Sequence, residues 1–153
     1  MKAKVYGSSH CAWCDRVAKL LEDSGVEIEK IDVSQGKEFI KEMSGYGNIP
    51  ENIKSYSSSA QALKGADIVC TATNSTKPVI SFDNLKKGAH VNAVGSFKPT
   101  MQEIDAKTIC NALVIVDSLE SAFEETGDLV IPLDQGLINK QHVFAEIGEI
   151  ING

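Results

Sequence analysis

Residues 4–34 read KVYGSSHCAWCDRVAKLLEDSGVEIEKIDVS, and the fold turns on how this stretch divides. Its opening, AKVYG from residue 3, has the β-branched and aromatic content of a strand. From Cys11 to Ser24 apolar residues recur at Cys14, Val17, Ala18 and Leu21, the spacing of one helix face, and Gly25 supplies the stop. VEIEKIDVS, residues 26–34, is a second strand whose alternation slips phase at Lys30. The stretch is a strand–helix–strand unit.

Working outward, the alternation continues. KEFIKEMSG (37–45) is a helix, and NIPENIKSYSS (48–58) runs through a turn into a short strand. SAQALKGA (59–66) is a helix capped by Ser57, Ser58 or Ser59. DIVCTAT (67–73), AHVNAVG (89–95) and ALVIVDS (112–118) are strands. LESAFEETG (119–127) is a helix, DLVIPL (128–133) a last strand and HVFAEIGEIING (142–153) a closing helix. Strands alternating with helices imply right-handed βαβ crossovers and a mainly parallel sheet. The near-continuous apolar strands fit a sheet covered on both faces. The expectation is a single α/β domain over residues 1–153, a three-layer doubly wound, Rossmann-like fold.

Composition narrows the function classes. A chain of 153 residues, 42% hydrophobic and 24% charged, can bury one ordinary core. Its net charge of -6, with no basic cluster, argues against nucleic acid as a partner. MKAKVYGSSH has no apolar signal region and no window approaches a membrane span, so a cytoplasmic protein without a membrane partner is expected. Cys70 and Cys110 lie in apolar runs and read as buried reduced thiols. His90 reads as a core or strand-end histidine, His142 as a surface or capping residue. Glu120, Glu124, Glu125 and Asp128 read as one solvated helix face.

Cys11 and Cys14 stand at the junction of the first strand and helix. Unpaired N–H groups and the dipole there lower a thiol pKa, making Cys11 nucleophilic. Cys14, one turn on, can resolve a mixed disulfide. Half a zinc site and two incidental thiols are the alternatives; zinc needs two further ligands, only His10 is near, and no metal is expected.

The same segment, residues 4–34, resembles the first βαβ unit of glutaredoxins, in a thioredoxin-type fold. It shares the Val-Tyr strand end, C-x-x-C, the Ala-Lys-x-Leu-Leu helix and the Ile-Asp-Val-Ser finish. The resemblance implies Cys11 as attacking and Cys14 as resolving thiol, with glutathione or a small disulfide as partner. The proline of Asn48-Ile49-Pro50 falls near the place of that family's cis-proline.

From about Phe39 onward the chain resembles a different family. SSAQALKGADIVCTATNSTKPVI (58–80), LKKGAHVNAVGSFKPTMQEID (85–105), VIVDSLESAFEETGDLVIP (114–132) and VFAEIGEIING (143–153) are similar to the NAD(P)-binding domain of the ornithine cyclodeaminase, μ-crystallin and alanine dehydrogenase family. That resemblance implies that Thr71, Ala72, Thr73, Asn74 and Ser75, with Val94, Gly95 and Ser96, line the nicotinamide side. Ligands of open α/β sheets do bind beyond the carboxyl ends of strands. It also implies a separate substrate domain carrying a catalytic Lys and Arg, for which no residues remain.

Together the resemblances lead to an engineered chimera: a glutaredoxin-like segment over 1–35, a Rossmann-like segment over 36–153, and a crossover between 34 and 53. The expected function is that of a monomeric scaffold with no evolved activity and no required cofactor. The alternatives are a residual thiol–disulfide oxidoreductase using Cys11 and Cys14, and a weak NAD(P)-binding remnant. In a G-x-G-x-x-G loop read from Gly7, Ser9 replaces the second glycine, where phosphates need bare backbone. Asp32, at the end of the second strand, stands where an acidic residue would hold ribose hydroxyls.

Overall fold

The computed structural model describes the backbone of residues 2–7 and 27–32, Lys19 and Asp23, and residues 36–153 throughout. The described chain divides into two compact units, Met1–Ser55 and Tyr56–Gly153.

In the first unit β1 (Lys2–Gly7) and β2 (Glu27–Asp32) pair in parallel, from Lys2 opposite Glu27 to Gly7 opposite Asp32. Of the helix expected from Cys11 to Ser24, only Lys19 and Asp23 are described, both helical and exposed. Ser9, His10, Cys11, Trp13 and Cys14 lie outside the described residues. α1 (Gly36–Met43) follows, as its sequence suggests, with Glu38 in the first turn and Lys41 in the last, each matching the helix dipole. The short strand expected before Ser58 does not form. Gly45 and Gly47 take φ of +72° and +59° instead, and the Ser44 hydroxyl donates to the Glu51 carbonyl at 2.5 Å, folding the segment into consecutive turns. The described residues contain no cis peptide bond, so the expected likeness of Pro50 to a cis-proline is absent.

The second unit holds α2 (Ser59–Leu63), β3 (Ile68–Thr71), β4 (His90–Ala93), α3 (Ala106–Asn111), β5 (Val114–Val116), α4 (Leu119–Glu125), α5 (Gly127–Asp134), β6 (Val143–Glu146) and α6 (Ile147–Asn152). Ser58 caps α2 by accepting from the Gln61 N–H. β3 pairs with β4 and β5 with β6, both in parallel, and Ile80 bridges Ile104 in the same sense. Leu63, Val69, Ile80, Ile104, Ile109, Ala122, Leu129 and Val143 form the core. Each Val, Leu or Ile among them contributes about 1.5–3 kcal/mol on full burial.

Three expectations for the second unit are corrected. DLVIPL is no strand: Gly127–Asp134 is helical, with Pro132 fully buried. A short apolar run cannot separate a buried strand from a buried helix, but Pro132 could have, because proline cannot donate to a ladder. HVFAEIGEIING is not one helix but β6 followed by α6. Glu146 ends the strand and caps the helix, its N–H donating to Glu149 Oε2 at 2.9 Å. α3 lies in a run read only as apolar. Asp105 starts it by accepting from the Thr108 N–H at 2.8 Å.

The thiols also differ. Cys110, in α3, is half-buried, and Cys70 is exposed because β3 alternates, turning Val69 and Thr71 inward but Ile68 and Cys70 outward. Ile68 and Cys70 are exposed, where the apolar run had predicted burial. His90 begins β4, exposed, its ring 3.0 Å from Asn92 Oδ1. No described helix is long and apolar enough to cross a membrane.

Candidate functional site

Parallel pairing sets Thr71 opposite Ala93, so β3 and β4 end level and release their chains side by side. The loop after β3 carries Ala72, Thr73, Asn74 and Ser75; the loop after β4 carries Val94, Gly95 and Ser96. Val94 N–H donates to the Thr71 carbonyl at 2.9 Å, holding the two exits together. The first loop turns tightly: Ser75 N–H donates to Thr73 Oγ1 at 3.2 Å and the Ser75 hydroxyl to the Lys77 carbonyl at 2.5 Å. In the second, the Ser96 hydroxyl donates to the Met101 carbonyl at 2.9 Å. Ala72, Thr73, Asn74 and Val94 are exposed, Val94 at 71%. All eight residues expected here are thus brought to one rim, although Thr71 is buried and turned inward.

What holds the rim is a residue to which the sequence assigned no role. Glu103 is 0% exposed. Its Oε2 accepts from the Thr71 hydroxyl at 2.9 Å and from Gly95 N–H at 2.7 Å, and its Oε1 from Thr73 N–H at 2.5 Å. One carboxylate therefore gathers donors from both loops. Gly95 must be glycine, since a Cβ there would collide with the backbone of Thr73 and lie 2.6 Å from Glu103 Oε1.

Asp128 supports Glu103 from behind. Its Oδ1 accepts from the N–H groups of Glu103 at 2.7 Å and Ile104 at 2.9 Å. The expectation that Asp128 belongs to a solvated acidic face is therefore corrected: Glu120, Glu124 and Glu125 are exposed, but Asp128 is 4% exposed. Helix α5 turns its first residues inward, where a strand would have alternated. Burial pushes the Asp128 carboxyl above the usual carboxylate range; the two N–H donors pull it down, and the charge of Glu103 adds to the rise. Its Oδ2 has no hydrogen-bond partner among the described residues. Gly127 passes close beneath the same segment, where a Cβ would collide with the Met101 carbonyl and lie 2.7 Å from that of Pro99.

A signal for Glu103 existed, an acid two residues after Met101 and next to Ile104, but the same pattern describes many surface glutamates. Asp32 closes β2 opposite Gly7, the strand end the sequence predicts.

The sequence profile of the Ornithine cyclodeaminase/mu-crystallin family matches residues 7–153. The chain belongs to this family. It is 50% identical over 99 residues to a Delta(1)-pyrroline-2-carboxylate reductase of Bacillus cereus (strain ATCC 10987 / NRS 248), covering 64% of this chain and 30% of that protein. Ketimine reductase mu-crystallin of Mus musculus is 37% identical over 102 residues, covering 67% of this chain and 30% of the relative. The chain thus spans about a third of these relatives' length. Among solved structures, Thermococcus litoralis Delta(1)-pyrroline-2-carboxylate reductase, in complex with NADH and L-proline, aligns with a TM-score of 0.73 at 30% identity, over 99% of this chain and 47% of that one. A probable ornithine cyclodeaminase from Bordetella pertussis Tohama I gives 0.67 at 27% identity, over 99% and 48%. These neighbours agree with a Rossmann-like α/β fold.

The findings correct three functional expectations. An inactive chimera is overturned, because one family profile runs from Gly7 through the segment assigned to a second parent. Parallel β1 and β2 carry nothing particular to a thioredoxin-type unit, since any βαβ crossover pairs its strands this way. Thiol–disulfide exchange through Cys11 and Cys14 is overturned, because these relatives are named as a pyrroline-2-carboxylate reductase and a ketimine reductase, not as thiol–disulfide oxidoreductases. The absence of a required cofactor, and the weak NAD(P) binding inferred from Ser9, give way before a neighbour solved with NADH bound.

Proposed function

We propose that this chain is the dinucleotide-binding part of an NAD(P)H-dependent reductase that saturates the carbon–nitrogen double bond of a cyclic imino acid. The observation that carries the reading is the rim beyond β3 and β4. Two loops leave parallel strands side by side, present Ala72, Thr73, Asn74 and Val94 to solvent, and are held from within. Ligands of parallel α/β sheets bind at such strand ends. The donor set suits a nicotinamide: Ala72 and Val94 offer apolar backing for a flat ring, and Thr73 and Asn74 offer polar groups for an amide edge.

In this reading Thr73, Asn74, Ser75, Val94, Gly95 and Ser96 hold the nicotinamide side, with Thr71 acting through Glu103. This reading assigns Asp32, which closes β2, to the ribose hydroxyls and Ser9 to the phosphates. The dinucleotide, when bound, supplies a hydride to the imine carbon while the nitrogen gains a proton, leaving an amine and the oxidised cofactor. The chain's own part is to orient the ring and to keep one of its faces from water. The 50% identity to a pyrroline-2-carboxylate reductase supports the substrate class.

Titrating the 153-residue chain with NADH and following the cofactor's fluorescence tests the proposal. Saturable binding below about 1 mM, the upper end of ordinary affinities, is expected. Fluorescence that never departs from that of free NADH over this range overturns it.

A further inference from the structure

We infer that Glu103 is a positioning residue, fixing the loops after β3 and β4 at one separation so that they meet a cofactor as a single preformed surface. The inference rests on the cofactor reading above and adds a residue that touches neither cofactor nor substrate. Four observations carry it.

The carboxylate is wholly buried yet has a donor on each side: two from the chain leaving β3 and one from the chain leaving β4. Oε2 alone spans the two strands, taking the Thr71 hydroxyl and the Gly95 N–H. The main chain of Glu103 is equally constrained. Its carbonyl accepts from Val79 N–H at 2.8 Å and Ile80 N–H at 2.9 Å, while its own N–H donates to Asp128. Finally, Gly95 has no side chain where one would displace the carboxylate.

The choice of an acid is informative. An ionised carboxylate only accepts, and all three partners only donate to it; glutamine would turn an NH2 group toward at least one donor. Loops at the surface could satisfy their N–H groups with water. A buried charge does the same with fixed geometry, and preorganised loops bind with a smaller ordering cost.

The experiment compares the parent chain with Glu103→Gln by NADH titration and by two-dimensional amide NMR. Charge-assisted bonds give Thr73 and Gly95 distinctive amide shifts. In Glu103→Gln both amides are expected to move or broaden and NADH affinity to fall about tenfold, as loss of a hydrogen bond to a charged group implies. The methyl signals of Ile80 and Leu129 are expected to stay in place, which a general structural lesion would not allow.

A folded Glu103→Gln chain whose NADH affinity is unchanged overturns the inference. If that variant does not fold, Thr71→Val decides: it keeps both backbone donors and removes one bond. Displaced Thr73 and Gly95 amides with an affinity loss of about threefold support the inference, and unchanged binding overturns it. If the parent chain does not bind NADH, the cofactor reading fails separately. The amides then decide alone, and unmoved Thr73 and Gly95 signals overturn the positioning role.

Discussion

Two strand pairs in the second unit end in the same way and are secured differently. Beyond β3 and β4, Glu103 reaches in from outside the pair and is fully buried, collecting three donors from two loops. Beyond β5 and β6, Glu146 belongs to β6 itself and is only half-buried. It accepts from Leu119 N–H at 2.6 Å, the first residue of α4, and completes the capping box of α6. One glutamate closes a rim of irregular loops; the other starts two helices. A helix start regains much of its hydrogen bonding from water when its cap is lost, whereas the fully buried Glu103 carboxylate has no water to turn to. The difference in burial, not in residue type, decides how much each strand end depends on its acid.

The sharpest way to break that comparison is Gly95→Ala. The added methyl meets the Thr73 backbone and Glu103 Oε1, so urea denaturation is expected to show a loss of about 3 kcal/mol, the upper range for overpacking. NADH binding is expected to disappear with it. A variant as stable as the parent would mean the β3 and β4 exits are not clamped as described.

At the other strand pair, Glu146→Ala is expected to cost about 1 kcal/mol, the ordinary value of a lost helix cap. NADH affinity is expected to stay unchanged. A large loss of affinity there would erase the distinction between the two strand ends.

The smallest effects concern two aspartates with opposite shifts. Burial raises the Asp105 carboxyl, but hydrogen bonds from Thr108, Phe82 N–H and Ser81 outweigh it and hold the group below its usual range. Its stability contribution is therefore present above the usual carboxylate pKa and lost as pH falls through the lowered value. Asp128 is raised, so its contribution is present below the usual value and lost as pH rises through the raised one. Denaturation across acidic to neutral pH should show Asp105→Ala weakening the protein toward neutrality and sparing it in acid. Asp128→Asn should flatten the fall in stability on the neutral side. Parallel pH curves for parent and variants would refute both assignments.

The strand–helix alternation was legible because periodicity is local: β3, β4, β5, α2 and α4 all fall within their sequence patterns, and α1 begins one residue before its own. The ends of β3 and β4 were legible in the same way, whereas the selection of Thr71–Ser75 and Val94–Ser96 as a site came from the family resemblance and not from periodicity. The errors cluster where local pattern is degenerate. DLVIPL suits a buried strand and a buried helix alike, and VFAEIGEI conceals a change of state at Glu146. In residues 4–34 the two strands lie where the sequence puts them, but the CxxC between them outweighed the family pattern running through the segment.

By itself the sequence determined the order of most elements and the parallel character of the strands, because strand and helix patterns depend on neighbours a few positions apart. Only the tertiary structure decided that Glu103 and Asp128 are interior acids. Their donors lie 8 to 32 residues away along the chain, and no local spacing records which distant N–H groups a carboxylate will meet.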